Sequence, residues 1–112
     1  IFIAVDGCPA PKSVSLQLDG RPGTWSKDKV TNYDQRLVRD FMEAAEAAGT
    51  ELQPVVYAHV SSDASAVYST GLAPRVGFIG HVRENNHGFE LARLSVFPNT
   101  INTLIAYIRR NC

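Results

Sequence analysis

The chain alternates between hydrophobic patterns typical of strands and patterns typical of helices. Residues 1–5 and 75–80 are short apolar runs, which predict buried strands. Residues 13–18 place apolar and polar side chains alternately, as a half-buried strand does. Residues 51–60 also have strand character, and the polar stretch after residue 23 admits a short strand around Val30. Residues 89–96 also admit a short strand, so the pattern predicts four strands and allows two more.

Three segments carry the helical period. In the first, residues 35–48, Asp34 can cap the N-terminus and Gly49 can end the helix. Its apolar side chains fall on one face: Leu37, Val38, Phe41, Ala45 and Ala48. The second segment predicts a shorter helix, capped by Ser62 or Asp63 and ended by Gly71.

The last helix, over residues 98–110, has the clearest pattern. Ile101, Leu104, Ile105 and Ile108 follow the i, i+3, i+4, i+7 spacing of a single apolar face. Arg109 and Arg110 complement the negative end of the helix dipole.

Strands that alternate with helices predict an α/β domain with a largely parallel sheet. We expect a three-layer α/β/α sandwich with a mostly parallel mixed sheet, formed as one domain over residues 1–112. The strands that end at Val5, Val60 and Ile79 should be neighbours in this sheet, with the helices 35–48 and 98–110 packed against it.

Composition excludes several classes of protein. Of the 112 residues, 45% are hydrophobic, and eleven basic residues balance eleven acidic ones, so nothing favours a nucleic-acid or membrane partner. No apolar run approaches the roughly 18 residues that a membrane span needs. Cys8 and Cys112 are expected to be free thiols. The chain opens inside an apolar run without methionine, so we expect a fragment whose natural N-terminus lies upstream.

Three polar side chains follow predicted strands. Asp6 follows the first strand, Asp63 follows residues 51–60, and His87 follows residues 75–80. If those strands are parallel, the three side chains lie at one rim of the sheet, and aspartate and histidine suit zinc or a similar divalent ion. The alternatives are a turn former for Asp6, a helix cap for Asp63 and a solvated histidine for His87. For the other two histidines, His59 and His81, a packed or hydrogen-bonded imidazole is expected.

The order of several segments resembles the C-terminal half of the dinuclear metal aminopeptidases of the glutamyl and deblocking type, the TET-like members of the zinc exopeptidase clan. The segments are FIAVDGCPAP, KVTNYDQRLVRDFMEAAEAAGTELQ, SSDASAVYSTG, RVGFIG and HGFELARLSVFPNTINTLIAYI. The resemblance implies that Asp6 completes the ligand set of one metal and His87 that of the other. It assigns Asp63 to positioning or support and makes Tyr33–Asp34 a structural strand-to-helix junction. Many relatives carry Arg-Tyr-x-His-Ser around the histidine, where this chain has ENNHGF.

The resemblance further implies an aminopeptidase that hydrolyses N-terminal residues from peptides with water activated by two divalent ions, zinc or cobalt. The general-base glutamate and the remaining ligands are expected upstream, so the fragment alone should be inactive and bind metal poorly. A cytoplasmic location and a homo-oligomeric complete protein are also expected. Two alternatives remain: a small-molecule-binding or regulatory α/β domain without metal, and an interaction module that uses the apolar surface of its helices.

Overall fold

A computed structural model describes residues 1–85 and 88–112. Within these residues, seven helices and strands follow one another: β1 (Phe2–Pro9), β2 (Gly23–Lys27), α1 (Gln35–Ala47), β3 (Gln53–Val56), α2 (Asp63–Ser69), β4 (Val76–Arg83) and α3 (Val96–Asn111). The α/β class predicted from the pattern is confirmed.

The four strands form one mixed sheet in the order β1-β4-β2-β3. β1 pairs with β4 in parallel, β2 pairs with β3 in parallel, and β2 pairs with β4 antiparallel. The strands predicted to be neighbours therefore share one sheet, but β3 is separated from β4 by β2. β3 runs antiparallel to β1 and β4. Its C-terminal end therefore lies at the end of the sheet where β1 and β4 begin.

The helices cover the two faces of this sheet. Along β4, Phe78 and Ile79 point to opposite faces because side chains alternate along a strand. Ile79 packs with Leu37 and Phe41 of α1 and Tyr107 of α3, all buried. The other face carries a second cluster in which Phe78 packs with Trp25, Ala4, Tyr57 and Ala64 of α2. The result is a three-layer sandwich with α1 and α3 on one side and α2 on the other.

Two glycines of β4 allow close approach on both sides of that strand. A Cβ on Gly80 would lie 1.5 Å from the main-chain oxygen of Asp6, its partner on β1. A Cβ on Gly77 would lie 2.8 Å from Phe41 of α1. These glycines therefore set how tightly β4 fits against β1 and α1.

The strand prediction for residues 13–18 is wrong. The pattern is buried as expected, since Val14, Leu16 and Leu18 are half-buried against the Phe78 cluster. The backbone of Gln17, however, bonds to the side chain of Gln53: its N–H donates to Oε1 at 2.8 Å, and its carbonyl accepts from Nε2 at 3.0 Å. A glutamine side chain takes the place of a neighbouring strand, so no ladder forms.

The sequence pattern also misplaced several strand bounds. β2 lies at Gly23–Lys27, before the strand allowed around Val30. β1 and β4 each continue several residues past the apolar run, to Pro9 and Arg83, because the two strands pair along their whole length.

α1 and α2 form as predicted. Asp34 caps α1 by accepting hydrogen bonds from two backbone N–H groups, and Gly49 follows the helix with φ +85°. Ser62 caps α2 with a capping box, and Gly71 follows with φ +76°.

α3 also forms, but a different face is buried. The buried residues are Val96, Thr100, Thr103 and Tyr107. Of the predicted apolar stripe, Leu104 is half-buried, whereas Ile101, Ile105 and Ile108 are 55%, 40% and 54% exposed.

Candidate active site

Asp6 lies within β1 rather than in a loop after it, and its side chain is 70% exposed. Its Oδ1 accepts a hydrogen bond from the N–H of Gly7 at 2.7 Å. Its backbone is held by pairing with Gly80. The carboxylate is thus fixed at one oxygen by a rigid strand while most of its surface faces solvent.

Arg83, at the end of β4, lies beside Asp6. Its Nη1 is 3.9 Å from Asp6 Oδ1, and its Nε is 3.1 Å from Glu90 Oε2. The guanidinium lies over the backbone of β1, since a Cβ on Gly7 would come within 2.2 Å of the Arg83 Cζ. Arg83 was not identified from the sequence, and it brings a positive charge next to the predicted metal ligand.

Asp63 is the first residue of α2 and is exposed. It lines a cleft of about 460 Å³ together with Asp6. The other lining residues are Gly7, Pro9, Trp25, Val60, Ser61, Ser62, Ala66, Phe78 and Arg83. β3 runs antiparallel to β1 and β4, so the condition for placing the three side chains at one rim does not hold, yet Asp6 and Asp63 share one cleft. The segment after β3 carries the chain across to the face of β1 and β4, where α2 packs.

Sequence patterns did not reveal a buried polar cluster behind this cleft. Asp28 is 1% exposed; its Oδ1 accepts from the N–H groups of Val30 and Thr31, and its Oδ2 accepts from the Tyr33 hydroxyl at 2.6 Å. The Tyr33 hydroxyl is also 2.5 Å from Ser62 Oγ. The cluster joins the loop after β2 to the cap of α2.

Burial opposes ionisation of Asp28, but the hydrogen bonds from Tyr33, Thr31 and Val30 outweigh it and hold the pKa of this carboxyl below its usual value. Burial and the neighbouring carboxylate raise the pKa of Tyr33. At neutral pH, Asp28 is therefore ionised and Tyr33 keeps its proton.

His87 lies outside the described residues, so its predicted approach to Asp6 stays a prediction. His81 is half-buried, with its ring centroid 5.0 Å from that of Phe97, as expected for a packed imidazole. Burial, followed by the charge of Arg83, lowers the pKa of His81. His59 is exposed in a turn after β3, so the expectation of a packed imidazole is wrong there.

Both cysteines are free thiols, as predicted. Cys8 is fully buried, and burial raises the pKa of its thiol to about 12, so it stays protonated and is a poor nucleophile.

Among residues 1–85 and 88–112, no group of three or more His, Cys, Asp or Glu side chains is placed to hold a metal ion. Within the same residues, no helix is both long enough and apolar enough to cross a membrane.

A family model for the M42 glutamyl aminopeptidases matches residues 1–102. The match covers most of the chain and favours the peptidase interpretation over a small-molecule-binding domain or an interaction module. A search of curated proteins finds no match.

Several solved structures are similar in fold. A TET aminopeptidase from a marine sediment archaeon of the Thaumarchaeota has a TM-score of 0.86 at 19% identity, over 97% of this chain and 32% of that chain. An aminopeptidase from the archaeon Desulfurococcus kamchatkensis has a TM-score of 0.83 at 18% identity, over 96% and 33%. The Pyrococcus horikoshii TET1 peptidase, which can assemble into a tetrahedron or a large octahedral shell, has a TM-score of 0.79 at 21% identity, over 95% and 32%. The chain thus spans about a third of the length of these proteins.

Proposed function

Because the chain belongs to the M42 glutamyl aminopeptidase family, a lineage of hydrolases, we propose that it forms the C-terminal portion of the catalytic domain of a metal-dependent aminopeptidase. The complete enzyme removes N-terminal residues from peptides. The observation that carries the proposal is the family match over residues 1–102 in a chain whose Asp6 faces an open cleft on a rigid strand.

The surroundings of Asp6 suit a metal ligand. Its carboxylate is mostly exposed, and its contacts with Gly7 and Arg83 are made by Oδ1. A carboxylate held in this way can bind a metal through its second oxygen while the first keeps its hydrogen bond. We assign Asp6 to one metal and His87 to the other, with Asp63 supporting the site.

When bound, two divalent ions, zinc or cobalt, would supply the Lewis acidity that activates water and polarises the scissile carbonyl. The residues of this chain bind, orient and shape the site. Asp6 brings a negative charge at a fixed place, and Phe78 and Trp25 form an apolar wall of the cleft. The general base and the remaining ligands belong to sequence upstream of this chain.

Because this chain supplies only some of the metal ligands, the proposal predicts how strongly the isolated chain binds metal and whether it is active. One protein ligand for each ion leaves most of each coordination sphere to water, whereas a catalytic zinc site usually has three protein ligands. The isolated chain should therefore bind metal weakly and show no turnover. The complete protein is expected to be cytoplasmic and homo-oligomeric, in keeping with the assemblies formed by the Pyrococcus horikoshii TET1 peptidase.

The test compares the complete enzyme with the isolated chain after chelation and addition of zinc or cobalt. Binding is measured by calorimetry, and turnover is measured with aminoacyl anilides. The complete enzyme should regain activity with metal, while the isolated chain should bind weakly and remain inactive. A complete enzyme that is inactive, or fully active without metal, would contradict the proposed function. Tight binding and turnover by the isolated chain would place the whole catalytic set within these 112 residues.

A further inference from the structure

The corner that carries Asp63 lies outside the strands, although α2 packs on the face of β1 and β4. β3 ends at Val56, and residues 57–62 continue outside any strand before α2 begins. β3 itself lies at the far edge of the sheet from β1. Contacts other than strand pairing therefore add to this packing and fix Asp63 on the same cleft as Asp6.

The end of β2 and the loop after it supply those contacts in two ways. Backbone bonds join it to the segment after β3: the N–H of Tyr57 donates to the carbonyl of Lys27, and the N–H of Lys29 donates to the carbonyl of Val60, both at 2.9 Å. Further along, the Tyr33 hydroxyl lies between Asp28 and Ser62, which caps α2.

The directions of these side-chain bonds follow from chemistry. An ionised Asp28 can only accept, so the Tyr33 hydroxyl donates to it. The Tyr33 oxygen can then only accept from the Ser62 hydroxyl, while Ser62 Oγ accepts from the N–H of Ala64 at 3.1 Å. Each hydroxyl gives one hydrogen bond and takes one, so the chain of bonds runs in one direction from α2 to the buried carboxylate.

We propose that Tyr33 is a positioning residue for the reaction, which holds the Ser62–Asp63 corner against the Asp6 side of the cleft through its bond to buried Asp28. The inference rests on the proposed function, because it assigns to Tyr33 an effect that passes through Asp63. It gives this tyrosine a role in the site in addition to its place in the core beside Trp25, where the two ring centroids are 6.1 Å apart.

The test is a double-mutant cycle in the complete enzyme, with Tyr33→Phe, Asp63→Asn and the double variant, each assayed at an equal folded fraction. Tyr33→Phe keeps the buried ring and removes the hydroxyl. It should lower kcat/KM on the order of 10- to 100-fold, the cost of a small misplacement of a site residue. In the Asp63→Asn background, the same substitution should have little further effect, because Tyr33 acts through Asp63.

Two further variants separate positioning from folding. Thr103→Val removes another buried hydroxyl, which donates to the carbonyl of Asn99 in α3, and should leave kcat/KM unchanged. If Tyr33→Phe does not fold, Ser62→Ala removes the same bond from its half-buried end, and Ser62→Thr should restore activity by restoring the hydroxyl.

The outcomes distinguish this inference from the proposed function. An inactive wild-type enzyme overturns both. If the wild type is active but Tyr33→Phe leaves kcat/KM unchanged, the positioning role alone is overturned. The same holds if Tyr33→Phe lowers kcat/KM equally in the wild-type and the Asp63→Asn backgrounds.

Discussion

At the residue scale, the partners of each aspartate decide what it can do. Asp28 is buried, and protein donors occupy both of its oxygens, so it can only serve the structure. Asp34 caps α1 and lies 2.5 Å from the Nε of Arg75. Asp6 and Asp63 face the cleft instead. Of these four aspartates, Asp6 and Asp63 therefore remain available to a ligand in the cleft.

Asp34 should make the chain sensitive to acid. Burial opposes its ionisation, but hydrogen bonds from Arg75 and from the first turn of α1 outweigh it and lower its pKa to about 2. Since the folded-state pKa lies below the unfolded value of 3.8, the stabilisation is present above pH 4 and is lost as the pH falls toward 2. Asp34→Asn should be less stable than wild type at pH 7 by about 1 kcal/mol, and the difference should shrink as the pH falls from 4 to 2.

The measurement is the free energy of unfolding by urea between pH 2 and pH 7. Glu46→Gln, an exposed position on the same helix, is the control and should follow the wild-type curve. A constant difference between Asp34→Asn and wild type at every pH would show that the charge of Asp34 contributes nothing.

How far sequence predicts the site depends on separation along the chain. Asp6 and Asp63 could be found because each stands at a visible change of local pattern. The Tyr33–Ser62 contact joins residues 29 apart, and nothing in the local pattern around either residue indicates the other. The sequence does not indicate Arg83, because its position beside Asp6 depends on the packing of β4 against Gly7 of β1.

At the element scale, helices were predicted more accurately than strands because their hydrogen bonds are local. α1 follows from its own caps and apolar face. A strand needs a partner, and the partner is invisible in the local pattern. Residues 13–18 have the right alternation but meet the side chain of Gln53, while β2 has little alternation but lies between two strands.

The pairing of β1 with β4 should depend on Gly80. Gly80→Ala would place a Cβ 1.5 Å from the main-chain oxygen of Asp6, so the two strands would have to separate. We expect a loss of about 3 kcal/mol or more in the free energy of unfolding, at the upper end of overpacking effects.

Gly71→Ala is the matched control for this substitution. Gly71 has φ +76°, but no heavy atom of the described residues lies within 4 Å of an added Cβ. It should cost only about 1 kcal/mol, from backbone strain. Equal losses for the two variants, measured by urea unfolding, would contradict the tight fit at Gly80.

At the scale of the whole molecule, an apolar stripe on α3 faces outward. Ile101, Ile105 and Ile108 are each at least 40% exposed, although their spacing is that of a buried face. The solved structures that this chain resembles are about three times as long. An outward apolar stripe of this kind favours association when the chain is alone in solution.

We therefore expect the isolated chain to self-associate as its concentration rises. Ile105→Lys should weaken this association, because it places a charge in the middle of the stripe. Leu72→Lys is the control, since Leu72 is 81% exposed and lies outside α3. Sedimentation velocity over a range of concentrations checks the prediction, and equal association of wild type and Ile105→Lys would contradict it.

The central claim is that Asp6 and His87 each hold a different metal ion, and metal content tests it most directly. The complete enzyme, loaded with zinc or cobalt and then dialysed, should contain two ions per chain by elemental analysis. Asp6→Asn and His87→Gln should each retain about one and lose hydrolysis of aminoacyl anilides. Asp19→Asn, which alters an aspartate paired with Arg21, should retain two ions and full activity. Two tightly bound ions in both the Asp6 and the His87 variants would contradict the assignment.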